Sequence, residues 1–236
     1  MPNIEIIPAL MPRTFEELRE QMERFIGLAE IVQLDVMDGV FVKNTSWPYS
    51  EDKDSLKNLI EGGDAIPFWE DIDFEVDLMI ANPEQEIRNW ILYGASRIIV
   101  HVESVTDMDF IIAEIKDSLN GKQLDGEDER GIEIGIAINV DTPNKAIEPW
   151  IYAVDFIQCM GIAKIGFQGE RFDERVISKI EDLRELNPDV TISVDGGVNF
   201  ESAPKLIAAG ATRLVSGSTI LQSSDPVSVI ERLKNL

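Results

Sequence analysis

Three aspartates sit at the polar ends of short apolar runs: Asp35 in Ile31 to Val36, Asp77 in Phe74 to Ile80, and Asp195 at the close of Val190 to Asp195. Side chains alternate along a strand, so Gln33 shares a face with Asp35, Glu75 with Asp77, and Ser193 with Asp195. Val32, Leu34 and Val36 then point the other way. A carboxylate withdrawn from water is costly unless it is paired, protonated or bound to a cation. Three of them at strand ends therefore point to a functional site, with a solvated electrostatic cluster as the alternative reading.

A second constellation is built from glycine: Gly166 and Gly169 after the sixth apolar run, Gly196 and Gly197 after the seventh, Gly217 with Ser218 after the eighth. Glycine lets backbone amides approach an anion closely, and neighbouring loops of this kind cradle phosphate. Tight turns with no ligand are the alternative. His101 is the single histidine, so no site here has two imidazole ligands, and a packed or supporting role is expected for it. No Gly-x-Ser-x-Gly elbow occurs to present a nucleophilic serine.

The elements that must position these residues follow from periodicity. Candidate strands are Ile4 to Pro8, Ile31 to Val36, Phe74 to Ile80, Arg97 to Val102, Ile132 to Ile138, Asp155 to Met160, Val190 to Asp195 and Thr212 to Ser216. They are short and rich in Ile and Val, as strands covered on both faces are. Helical patterns separate them. Thr14 and Glu17 make a capping box before Phe15, Leu18, Met22 and Phe25, and Gly27 is placed to end that helix. Asn82-Pro83, Thr142-Pro143 and Asp225-Pro226 read as further helix starts. Eight alternations argue for a single (β/α)8 barrel over residues 1–236 rather than an open sheet. Two stretches are long for loops. Val40 to Asp73 holds a helical pattern near Ser55 to Ile60, flanked by Trp47, Pro48 and Tyr49 and by Pro67, Phe68 and Trp69, and could act as a lid. Gly121 to Gly131 is acidic and reads as a solvated loop at the far end.

With 44 acidic against 21 basic residues, a formal charge of −23 repels phosphate backbones and anionic membranes, which excludes nucleic acid as a partner. A small anion held by amides stays compatible with that field. Cys159 is the single cysteine and lies inside an apolar run, so it reads as buried, and a reducing, cytoplasmic setting fits. No apolar run approaches the roughly 20 residues that a membrane helix needs.

The ordered motifs resemble the ribulose-phosphate 3-epimerase family over nearly the whole chain. They are Leu34-Asp35-Val36-Met37-Asp38-Gly39 with Phe41-Val42 and Asn44, Leu78-Met79-Ile80 with Asn82-Pro83, and Gly94-Ala95 ahead of His101 and Glu103. Asn139 with Thr142-Pro143, Met160, Gly166-Phe167 with Gly169 and Phe172, Val194 to Val198, and Val215 to Ser218 continue the pattern. The resemblance implies a small phosphorylated sugar as substrate, such as ribulose 5-phosphate or xylulose 5-phosphate. It also implies proton transfer through an enediolate by Asp35 and Asp195, and an active site lined by Met37, Met79 and Met160. It further implies a homo-oligomer and a divalent metal.

The departures fall on the metal ligands. The family holds its metal with two histidines and two aspartates, whereas Gln33 and Asp77 occupy the histidine positions here, and Ala9 replaces a serine in strand one. After strand six, Met160-Gly161 stands for Met-Ser, and the family's Gly-Phe-Gly-Gly-Gln becomes Gly166-Phe167-Gln168-Gly169-Glu170 in a loop one residue longer. Oxygen ligands in place of imidazole move the expected ion from zinc toward magnesium or manganese, with Asp35, Asp77, Asp195 and Gln33 as the candidate set. A phosphosugar-binding barrel that has lost the metal and its catalysis is the rival reading. A lyase on the same scaffold, using Lys164, is a third.

Overall fold

The computed structural model describes residues 4–50, 62, 65–121 and 131–236, with the side chains of 119–121 outside that description. Eight parallel strands close into a barrel in the order β1 to β8: Glu5–Leu10, Ile31–Met37, Asp73–Met79, Arg97–His101, Glu133–Ile138, Phe156–Met160, Thr191–Asp195 and Arg213–Ser216. Each strand lies within two residues of its expected bounds. All seven residues of β2 are buried, and every residue of β3 except the first, so both faces of these strands are covered although polar and apolar residues alternate along them.

Helices α1 (Phe15–Glu23), α2 (Ile87–Leu92), α3 (Met108–Gly121), α4 (Arg175–Leu186), α5 (Ala203–Ala209), α6 (Ser218–Leu221) and α7 (Pro226–Lys234) fill the connections. Thr14 caps α1 by accepting the Glu17 amide, while the Glu17 carboxylate takes the Arg13 amide at 2.7 Å rather than that of Thr14. Asp225 caps α7 through the Ser228 amide.

Three helix boundaries differ from expectation. α1 ends at Glu23, before Gly27, because Phe25 turns fully into the core; Gly27, at φ 73°, ends the turn that follows. Asn82 caps nothing with its side chain. It adopts the left-handed conformation ahead of a short 3-10 turn at Pro83–Gln85, and α2 begins only at Ile87. Thr142-Pro143 opens two 3-10 turns, Asn144–Ala146 and Glu148–Trp150, in place of an α-helix. Pro149 lies inside this stretch with no N–H for an i→i−4 ladder.

The contact pattern resolves two half-barrels, residues 10–135 and residues 1–9 with 136–236. In the first, Trp47 is fully buried, edge-on to Trp90 of α2 at 6.2 Å and tilted against Phe15 at 5.8 Å. The start of the long second loop is thus a core strap, tied by the Trp47 amide to the Pro12 carbonyl. Trp69 is 59% exposed. The helix expected near Ser55 to Ile60, with the lid reading that rests on it, and most of the acidic Gly121 to Gly131 loop lie outside the described residues. Low on the strands, buried Glu75 pairs with Arg97 at 3.1 Å, and Arg97 with Glu133 at 3.4 Å. In the second half-barrel Arg213 bridges Glu5 at 2.8 Å and lies 4.8 Å over the Phe156 ring. No helix among the described residues is long and apolar enough to cross a membrane.

Candidate functional site

In the half-barrel of β2 to β4, register stacks the polar residues in rows: Gln33 opposite Glu75, Asp35 opposite Asp77, and Met37 opposite Met79. All six are nearly or fully buried. Gln33 donates its side-chain amide to Asp35 Oδ1 at 2.8 Å, so this residue orients a carboxylate from the position expected of a ligand. Met37 and Met79 sit two residues further along the same faces and give the carboxylates an apolar wall.

His101, at the end of β4, has the supporting place expected of it. Its Nε2 lies 3.1 Å from Asp77 Oδ1 and its Nδ1 3.6 Å from Glu103 Oε2, with the imidazole wholly buried. The Phe41 ring lies 5.3 Å from it. Burial alone would depress the imidazole, but Asp77 and Glu103 outweigh burial and push its pKa up to about 10. A cation is thereby supplied to Asp77 from the neighbouring strand. Because the folded value exceeds the unfolded one, this pairing contributes its full stability below about pH 6.5 and loses it as pH climbs toward 10. Melting temperatures of the wild type and His101→Gln should therefore differ most at pH 6 and converge by pH 10. A constant gap across that range would refute a charged imidazole.

The strap after β2 is anchored beside the same carboxylates. Ser46 Oγ donates to the Asp35 carbonyl at 2.6 Å and accepts the Met37 amide at 2.9 Å. Asp38 accepts the Val40 and Phe41 amides at 2.8 and 3.0 Å, and its other oxygen takes the Ala81 amide at 2.8 Å, joining the loops after β2 and β3. No spacing in the sequence marks these contacts.

In the second half-barrel Asp195 is 7% exposed and in register with Met160 across β6 and β7. Gly196 and Gly197 follow with φ of 94° and 69°. A Cβ at Gly197 would lie 2.8 Å from Phe172 Cα, so conformation and packing both require glycine there. The Gly197 carbonyl is held by Ser202 Oγ at 2.7 Å and Asn199 Nδ2 at 3.0 Å, and the Val198 carbonyl by Thr219 and Ser216. These bonds fix the backbone of the loop after β7. Gly217 and Ser218 open α6, while Gly166 (φ 86°) and Gly169 (φ 78°) shape the loop after β6. At Gly161 a side chain has no room, because the Gly196 carbonyl oxygen would lie 2.3 Å from its Cβ. Lys164 is exposed, with its ammonium 5.8 Å over the Phe167 ring, and Cys159 is buried, which pushes its thiol up to about 12.

The sequence model of the Ribulose-phosphate 3 epimerase family matches residues 5–221. The chain belongs to the ribulose-phosphate 3-epimerase family. It is 30% identical to ribulose-phosphate 3-epimerase of Bacillus subtilis (strain 168), with 98% of each chain covered. It is 32% identical to the chloroplastic ribulose-5-phosphate-3-epimerase of Arabidopsis thaliana, over 98% of this chain and 76% of that one. Among solved structures, 3-hexulose-6-phosphate synthase from Salmonella typhimurium superposes with a TM-score of 0.66 at 16% identity, covering 98% of this chain and 97% of that one. KGPDC from Streptococcus mutans does so with a TM-score of 0.63 at 14% identity, covering 98% and 96%. At such identities these two likenesses establish the barrel alone.

Proposed function

We propose that the chain is a sugar-phosphate epimerase that interconverts ribulose 5-phosphate and xylulose 5-phosphate, with Asp35 and Asp195 as the proton-transfer pair. The observation that carries this reading is that Asp35 and Asp77, both buried, stand opposite each other in register on β2 and β3, with Gln33 donating to Asp35, while Asp195 is buried at the end of β7. A buried carboxylate pair suits a cation, and a further carboxylate ending β7 supplies the second group that two-face proton transfer requires.

In this mechanism the Asp35 carboxylate, oriented by Gln33, removes the proton from the carbon beside the ketose carbonyl, and Asp195 returns a proton to the opposite face. The roles exchange in the reverse direction. Met37, Met79 and Met160 exclude water from the enediolate, whose charge a polar solvent shell would otherwise carry. Backbone amides at Gly166, Gly169, Gly196, Gly197, Gly217 and Ser218 receive the phosphate without a formal positive charge, which reconciles an anionic substrate with the net charge of −23.

The donor set fits a hard divalent cation. Asp35, Asp77 and Asp195 would hold it, with His101 behind Asp77 and Gln33 engaged with Asp35. Such a cation, when bound, supplies Lewis-acid stabilisation of negative charge on the substrate oxygens. Three carboxylates with no imidazole favour magnesium or manganese over zinc. On this reading residues 1–236 act as one domain and assemble as a homo-oligomer.

The test is conversion of ribulose 5-phosphate to xylulose 5-phosphate by purified protein with magnesium, manganese or zinc supplied in turn. Turnover with one of these ions is expected. Absence of turnover with all three, alongside measurable binding of the sugar phosphate, would transfer the assignment to a non-catalytic phosphosugar-binding barrel. The replacement of both histidines favours that second reading.

A further inference from the structure

We propose that Gln168 is a substrate-contacting residue, donating a side-chain N–H to the phosphate of the sugar; this rests on the phosphorylated-sugar reading above. Gln168 stands in the loop after β6 where the resembling family has glycine. Its Nε2 donates to the carbonyl of Ala9, near the end of β1, at 3.2 Å. The same amide lies against Gly217 at the end of β8: a Cβ on Gly217 would come within 2.8 Å of Nε2 and 3.2 Å of Cδ. A side chain at residue 217 would therefore displace the end of Gln168 from this position.

A primary amide has two N–H donors and one acceptor oxygen. Ala9 takes one donor, and the residue is exposed, so the second N–H and the oxygen are open to a ligand at the junction of three strand ends. This junction borders Gly166, Gly169, Gly217 and Ser218, the glycine-lined loops that the proposed function assigns to the phosphate. A glycine at 168 would contribute backbone alone; glutamine adds a neutral donor that needs no counter-charge in a protein of net charge −23.

The experiment compares wild type, Gln168→Ala and Gln168→Glu, reading KM and kcat for ribulose 5-phosphate, the dissociation constant of inorganic phosphate by calorimetry, and the melting temperature. The alanine variant should raise KM and the phosphate dissociation constant by a common factor of about ten, the size of one lost hydrogen bond to a charged group, with kcat changed less than about threefold. Glutamate keeps the reach but reverses the interaction, and should weaken both by about a hundredfold or more. Equal constants in all three proteins would overturn the proposal, as would a KM rise unaccompanied by weaker phosphate binding, or one that tracks a fall in melting temperature. If the wild type binds ribulose 5-phosphate with this dependence on Gln168 but does not turn it over, the contact stands and the epimerase reading falls. If it binds neither sugar phosphate nor phosphate, both fall.

Discussion

Asp35→Asn and Asp195→Asn should each lower kcat for pentulose phosphate epimerisation by about 10²- to 10⁴-fold, the range contributed by one positioned acid or base. The amide is nearly isosteric with the carboxylate, and its oxygen still accepts the Gln33 N–H that holds Asp35 at 2.8 Å. The fold should therefore persist, and KM should move far less than kcat. A two-face mechanism gives a sharper signature than a rate. With one carboxylate removed, the remaining one still abstracts the proton on its own side and returns a deuteron from D2O to that same side. Each variant is then expected to exchange the carbon-bound hydrogen of one epimer without inverting it, and the two variants should act on opposite epimers. Nuclear magnetic resonance in D2O reads this directly. Retention of epimerisation in either variant would remove that residue from the proton pathway.

Chelation is expected to depress turnover about a thousandfold, because Lewis-acid stabilisation of a developing oxyanion is worth several kcal/mol and each 1.36 kcal/mol is about tenfold in rate. Manganese or magnesium should restore activity better than zinc. Imidazole suits zinc, while carboxylate oxygens suit harder ions, and the proposed donors Asp35, Asp77 and Asp195 are carboxylates alone. The nearby His101 cannot take that part while its Nε2 faces Asp77 Oδ1 at 3.1 Å and its Nδ1 faces Glu103. Metal content by elemental analysis, followed by add-back of each ion to chelated protein, checks both halves of the expectation. Recovery with zinc alone would mean that the oxygen-rich donor set does not govern the choice. Full activity after complete metal removal would dispense with a Lewis acid altogether.

The barrel was legible because a strand buried on both faces leaves a short, contiguous Ile- and Val-rich run, and each of the eight was found within two residues of its ends. Helix starts were less legible. Asp225-Pro226 behaved as a cap, but Asn82-Pro83 led into a 3-10 turn, and Thr142-Pro143 was followed by a second proline that denies an α-helix its ladder. A cap motif specifies one turn, whereas continuation depends on every later residue and on the span available between strands.

Side-chain parity along each strand was sufficient to put Gln33 with Asp35 on one face, and β pairing then set Asp35 opposite Asp77. By itself, the sequence determined the element order and the residue types at the strand ends. The tertiary structure alone decided what each group touches: that Gln33 spends its amide on Asp35, that His101 serves Asp77, that Asp38 joins two loops, and that Gln168 reaches Ala9 over Gly217. The reason is physical. Alternation and burial are local properties written along one strand, while hydrogen bonds across strands and loops depend on distances fixed only when residues as far apart as Ala9 and Gln168 are brought together by closure of the barrel.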